Sequence, residues 1–291
     1  MRGAPGNRRP YRGDATAMAI DNPQKAEDQA YAPEKMRIML GFFDVLAFSK
    51  RVENEGPEET AKLYHRLIET TVKKEASRCL GAISDGTGAR FMTLFSLDVK
   101  TAYFSDTIFM WAPLERAFAD AFVSHCATFV CEALAMDIPI RGAIALGEAV
   151  MDSETGTYIG MPIVEAASCE KIQEWLGVVY APSATWPPFM AEVHPNLFME
   201  YDVPVKLGHA DVLPPVALDW TRRWEELYGT PAATKLIEMN GLSPHEKLEN
   251  AIAYVEHCVR HRDWHKQAPE YFTGKRLRMT RSPGEVPDGD V

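Results

Sequence analysis

The chain has no CxxC motif, no surplus of positive charge and no internal repeat, and each of these narrows what it can be. Its 291 residues include five cysteines, Cys79, Cys126, Cys131, Cys169 and Cys258. An odd number of scattered cysteines argues against a disulfide framework or a zinc ribbon. It points to reduced thiols in a cytoplasmic setting. A net charge of −10 and a pI near 5.4 argue against general nucleic-acid binding and leave room only for a local basic pocket. No apolar run reads as long enough to span a bilayer. The richest, 117–136, is broken by Asp120, His125 and Glu132, and Phe118, Phe122, Phe129 and Ala133 recur at helical spacing, which predicts a core helix. The first residues lack the apolar stretch of a signal peptide. Residues 1–34 carry Arg2, Arg8, Arg9 and Arg12 among Gly, Pro, Asp and Gln, and residues 267–291 are similar; both are expected to be disordered tails.

What is present is the composition of a folded protein, 46% hydrophobic, and enough chain for one domain with an extension. A strand is expected at 36–44. A helix follows at 57–78, opened by Pro57 with Glu58 and Glu59 in its first turn. Asp85-Gly86-Thr87-Gly88 marks a turn, and strands follow at 91–97 and 107–111. A helix at 114–136, a long strand at 138–151, a turn at 153–156, a helix at 162–175 and a strand at 177–180 complete a β-α-β-β-α-β-α-β order. This predicts an α+β fold, a sheet with helices on one face. After Pro182 the composition changes to paired prolines and isolated aromatics, a connecting extension over 183–266. Within it 199–207 reads as a strand. Ser243 reads as the N-cap of a helix to about 265, with Glu246 at the capping-box position.

Two acids stand out. Asp44 closes the run Ile38-Met39-Leu40-Gly41-Phe42-Phe43-Asp44-Val45, and Asp106 sits in Tyr103-Phe104-Ser105-Asp106-Thr107-Ile108-Phe109. An acid in such a setting is costly unless it is paired or binds a metal. Two of them suit the two divalent ions that accompany a nucleoside triphosphate. A third segment supplies context: Arg141-Gly142-Ala143-Ile144-Ala145-Leu146-Gly147-Glu148, then, after a hairpin, Gly160-Met161-Pro162-Ile163-Val164-Glu165-Ala166-Ala167. Arg141 either contacts phosphate or pairs with Glu148 or another acid.

In order and approximate spacing, these three segments resemble the class III nucleotide cyclase catalytic domain over residues 35–182. The resemblance implies a ferredoxin-like β-α-β-β-α-β core with a C-terminal α/β extension. It places metal ligands at Asp44, Val45 and Asp106, and holds two Mn²⁺ or Mg²⁺ ions per site. It places phosphate-cradling amides over Leu46, Ala47, Phe48 and Ser49, with Lys50 and Arg51 either beside the phosphates or merely solvated. Ala47 stands where the family usually has Gly. Asp44 and Asp106 are further apart than is usual, which implies an insertion near 81–90. Arg141 joins the two acids as a catalytic candidate. The family builds each site from two subunits, the acids from one and the Arg-Gly strand from the other, which implies a homodimer.

The departures set the expected branch. Ala102 replaces the Lys that purine-specific members carry four residues before the second acid. Tyr103 lies beside it, Thr157 falls on the second base-reading position, and Val164 and Ser168 replace the family's Asn and Arg. Arg90, Arg141 and Lys171 are the candidate replacement cations. With Ala217-Leu218-Asp219-Trp220, the pattern resembles the bacterial pyrimidine cyclases of Pycsar antiphage systems. That resemblance implies conversion of UTP to cyclic UMP, with CTP as the alternative, for a separately encoded effector. It involves no nucleic acid and no membrane. A purine cyclase and a catalytically silent nucleotide-binding or dimerisation module are the rival readings. His257, His261 and His265 have zinc-like spacing but sit among Arg260 and Arg262, so a solvated basic helix face is favoured.

Overall fold

The computed structural model describes residues 34–84, 99–209 and 212–263, with the backbone alone for 76–84. The expected turn at 85–88, the strand at 91–97, Arg90, His265 and nearly all of the two expected tails lie outside the described residues.

One mixed sheet of eight strands organises the chain. β1 (Lys35–Val45) lies between β3 (Thr107–Pro113) and β4 (Ile140–Asp152), antiparallel to both. β2 (Lys100–Phe104) pairs with β3 at one edge, and β5 (Thr157–Gly160) forms a hairpin with β4. β6 (Val178–Tyr180) runs parallel to β4. Beyond it the sheet continues through β8 (Val216–Leu218) to β7 (Phe198–Glu200), so strands of the 183–266 segment extend the same sheet. The helices are α1 (Phe48–Glu55), α2 (Pro57–Ser84), α3 (Ala119–Ala135), α4 (Met161–Ile172), α5 (Pro187–Met190), α6 (Thr221–Tyr228), α7 (Ala232–Glu238) and α8 (His245–Arg260).

Strand alternation explains how the helices sit. Successive residues of β1 point to opposite faces, so Gly41 and Phe43 share one and Phe42 and Asp44 the other. α3 takes the first face: the Phe43 ring meets Phe129 at 4.7 Å. A Cβ added to Gly41 would lie 2.9 Å from Cys126 Sγ. On the second face, β4 presents the small residues Ala143, Ala145 and Gly147 in alternate positions. α4 settles into that shallow row, close enough that a Cβ on Gly147 would lie 2.9 Å from Pro162. The expectation of helices on one face is therefore corrected. The alternation of small and large residues in Arg-Gly-Ala-Ile-Ala-Leu-Gly gives each face of β4 its own helix.

The stretch Arg116–Ala135 has the length and apolar composition to cross a membrane, contrary to the sequence reading, yet 78% of its richest window is buried inside the protein. Among its neighbours, a polar network ties α2, α3 and α6 together. Arg223 donates to Thr128 (2.8 Å) and meets Glu75 (3.0 Å), while Lys74 (2.6 Å) and Tyr228 (2.6 Å) both reach Glu132. α8 docks through Tyr254, whose ring stands edge-on to Trp175 at 4.7 Å and whose hydroxyl donates to the Leu218 carbonyl at 2.8 Å. The capping box expected at Ser243 does not form. Pro244 is the N-cap of α8, no side chain caps it, and the Ser243 hydroxyl is left over.

Candidate functional site

Asp44 and Asp106 meet at one cleft. Asp44 is the penultimate residue of β1, and Asp106 lies in the tight hairpin between β2 and β3, where Ser105 adopts a left-handed conformation (φ 56°). The Val45 amide donates to the Asp106 carbonyl at 2.8 Å, which pins the hairpin against the end of β1. The Leu46 amide donates to the Pro139 carbonyl at 2.8 Å and fixes the other side. The chain then turns sharply at Ala47 into α1. Ala47 has φ 57° and offers no side-chain cap, so the first amides of α1 depend on other partners. Glycine adopts that left-handed conformation without strain, and here an alanine holds it.

The cleft has a volume of about 470 Å³. The run from Asp44 to Lys50 lines it together with Asp106, and residues 241–244, between α7 and α8, supply the rest of its wall. The sequence reading placed Asp44, Val45, Leu46, Ala47, Phe48, Ser49 and Asp106 at one site, and all seven line it. Lys50 lines it as well. Arg51 is turned away, donating to the Asp137 carbonyl (2.6 Å) and pairing with Glu55 (3.0 Å).

Arg141 is not free to reach a phosphate. It lies directly opposite Asp44 in the β1–β4 ladder, so their side chains share a face. Its Nε–H donates to Asp44 Oδ2 at 3.2 Å, and an Nη–H donates to the Gln173 carbonyl at 2.7 Å. Glu170 of α4 brings Oε1 to 2.5 Å from the same Nε. The single Nε–H points to Asp44, so Glu170 Oε1 is in charge contact but has no directed hydrogen bond. Burial, and next the nearby Asp44 carboxylate, push the Glu170 carboxyl up to about 7. The cluster is thus one buried cation between two carboxyls, and a proton on Glu170 lets it donate towards Asp44. Glu148, the other partner considered for Arg141, pairs with Lys35 instead. β1 and β4 are neighbours in one chain, so Arg141 meets the Asp44 of its own chain.

Other candidates lie elsewhere. Tyr103 leaves the cleft for α2, where its hydroxyl is 3.1 Å from His65 Nε2 and its ring stands edge-on to Tyr64 at 5.8 Å. Thr157 sits at the tip of the β4–β5 hairpin, its hydroxyl accepting from Thr155 at 2.9 Å. Val164 is exposed on α4, and Ser168 donates to its carbonyl at 2.7 Å. Lys171 lies in the last turn of α4, its carbonyl accepting from Lys206 at 2.7 Å. His257 and His261 stack with ring centroids 4.4 Å apart, and His257 Nε2 lies 2.8 Å from the Glu200 carbonyl, so the pair is occupied by packing. Among the described residues no three His, Cys, Asp or Glu side chains gather as metal ligands.

Sequence reasoning missed Glu170, Tyr64 and residues 241–244. Glu170 had a signal: Pro162, Ala166 and Glu170 fall on one helical stripe, and an acid on an otherwise apolar stripe calls for a partner. Tyr64 is buried near both acids with no hydrogen-bond partner among the described residues, and burial followed by the Asp106 charge holds its hydroxyl well above the ordinary tyrosine range.

No family model and no curated protein matches the chain. Solved structures that match include a bacterial light-regulated adenylyl cyclase. The identity there is 16% and the TM-score 0.37, with 58% of this chain and 49% of that chain covered. The chain spans about half the length of that protein, and a likeness of this size assigns neither fold nor activity.

Proposed function

We propose that the chain is a metal-dependent nucleotide cyclase acting on a pyrimidine triphosphate, UTP before CTP, and releasing the 3′,5′-cyclic monophosphate and pyrophosphate. One observation carries the reading: an acid near the end of β1, a second acid in the β2–β3 hairpin, and the amide-rich start of a helix share one cleft. The donor set fits Mg²⁺ or Mn²⁺. Asp44, Asp106 and the main chain of Val45 are all-oxygen ligands, which hard cations prefer. When bound, such ions neutralise phosphate charge and lower the pKa of the attacking hydroxyl. The chain's own residues do the rest. Arg141 holds the Asp44 carboxylate in place through its Nε–H, so Arg141 is a positioning residue. The first amides of α1 and the Lys50 ammonium receive phosphate oxygens.

Pyrimidine preference is inferred from Ala102, which offers no donor to a purine. A homodimer is inferred from apolar side chains left in water. Phe104 is 82% exposed at the sheet edge, and Ile159 (68%), Met161 (70%) and Val164 (56%) are exposed near the start of α4. The product would act as a second messenger for an effector encoded elsewhere, in antiphage defence, in the cytoplasm. The silent-module reading keeps one observation in its favour: Val164 and Ser168 supply neither amide nor cation. Incubation of the pure protein with each NTP and Mn²⁺ separates the readings, since the silent module yields no cyclic product.

A further inference from the structure

Residues 241–244 approach the acids from a distant part of the sequence, and their position is built. Lys235 of α7 pairs with Asp137 at 2.8 Å, next to the Pro139 carbonyl that holds Leu46. On the other side, Asn250 of α8 donates to the Glu174 carbonyl at 2.6 Å, and Lys247 reaches the Glu174 carboxylate at 3.6 Å. Leu236 and Met239 are fully buried behind the turn. Gly241, with φ 93°, makes the bend, a conformation that favours glycine. The turn is therefore held from both sides at a fixed distance from Asp44 and Asp106.

Ser243 lines the cleft on this turn, is 9% exposed, and its hydroxyl has no hydrogen-bond partner among the described residues. An unmet buried hydroxyl is costly, and evolution commonly tolerates one where a ligand completes it. The sixteen-residue α8 starts at His245, after the N-cap Pro244; no side chain caps it, and Glu246 stands in its first turn. At the same cleft, α1 also starts uncapped. Two helix N-termini thus border one cleft, and the positive end of each helix dipole favours an anion there. The 241–244 wall contributes no carboxylate of its own.

Resting on the cyclase reading, we infer that Ser243 and the start of α8 form a second phosphate-holding wall. It grips the β- and γ-phosphates of the nucleotide and, after cyclisation, the pyrophosphate. The site is then closed by two segments of one chain, α1 from the amino-terminal part and the α7–α8 turn from the carboxyl-terminal part.

The test is titration calorimetry of the full chain with Mn²⁺, using UTP, inorganic tripolyphosphate and UMP as separate probes. Ser243→Ala should weaken tripolyphosphate and UTP about tenfold, the size of a lost hydrogen bond to a charged group, and leave UMP unchanged. Ser243→Thr keeps the hydroxyl and should bind tripolyphosphate within about twofold of the wild type. The proposal is overturned if Ser243→Ala binds tripolyphosphate like the wild type. It is equally overturned if Ser243→Ala weakens UMP as much as tripolyphosphate, or if the wild type binds UTP but not tripolyphosphate. In these cases the cyclase reading stands, whereas a wild-type chain that binds none of the three probes ends both.

Discussion

Arg141→Met should destabilise the protein, and by an amount that depends on pH. The side chain is buried between Asp44 and Glu170, and its Nε serves both carboxyls, as donor to Asp44 and as a close charge to Glu170. Removing one partner of a buried ionic cluster costs about 3–5 kcal/mol, because the remaining charges stay buried without compensation. Glu170 offers a partial escape. Its folded pKa is raised from 4.5 to about 7. The folded state therefore holds this proton more tightly than the unfolded state does. The stabilising contribution is complete below pH 4.5 and is lost as pH rises through about 7. The span amounts to about 3 kcal/mol. Without Arg141, the cation that holds Glu170 down is gone, and the window moves to higher pH. The deficit of Arg141→Met against wild type should thus be about 2 kcal/mol at pH 6, where Glu170 is mostly protonated in both, and near the full buried-pair cost at pH 8.5. Urea unfolding at the two pH values measures it, and comparing variants at each pH removes the pH response of unrelated groups. Adding Glu170→Gln to Arg141→Met should recover stability at pH 8.5 and little at pH 6. A deficit that is equal at both pH values, or below about 1 kcal/mol at pH 8.5, would refute the cluster as described.

Three further outcomes follow from the same geometry. Asp44→Ala and Asp106→Ala should each lower cyclase turnover at least about a hundredfold with the circular dichroism spectrum of a folded chain, Asp106→Ala keeping a urea midpoint near wild type and Asp44→Ala, which takes an acceptor from the buried Arg141, lowering it; normal turnover in either would remove the two-acid site. Gly142→Ala should cost about 3 kcal/mol, since its Cβ would lie 2.3 Å from the Phe42 carbonyl oxygen, a backbone atom that cannot turn aside. Met161→Glu should convert the proposed dimer to a monomer in light scattering, because it puts a charge into the exposed apolar patch at the start of α4; a dimer that survives it would place the interface elsewhere.

The legible parts of the fold were those written in local periodicity. α3 followed from aromatic and alanine residues at helical spacing, and β1 and β4 from long apolar runs that end at Asp44 and begin near Arg141. The acids themselves were legible because a charge inside an apolar run is conspicuous. β2, Lys100–Phe104, was missed: it is a half-exposed edge strand whose residues do not form a continuous apolar run. The Ser243 cap failed because capping is decided by where the helix begins, and Pro244, with its fixed φ, takes the cap position itself. Arg141 was read as a phosphate ligand or an ion-pair partner. Only the β1–β4 register, which no local pattern records, places it opposite Asp44. The 241–244 wall is a tertiary encounter between segments almost two hundred positions apart, so nothing near Asp44 could announce it.

The most direct test of the account is a competition. Purified protein is given equal concentrations of ATP, GTP, CTP and UTP with Mn²⁺, and the cyclic products are identified by mass spectrometry. The account predicts 3′,5′-cyclic UMP as the main product, lost in Asp44→Ala. Cyclic AMP or cyclic GMP as the main product would contradict the pyrimidine assignment, and no cyclic product from any of the four would contradict the central claim.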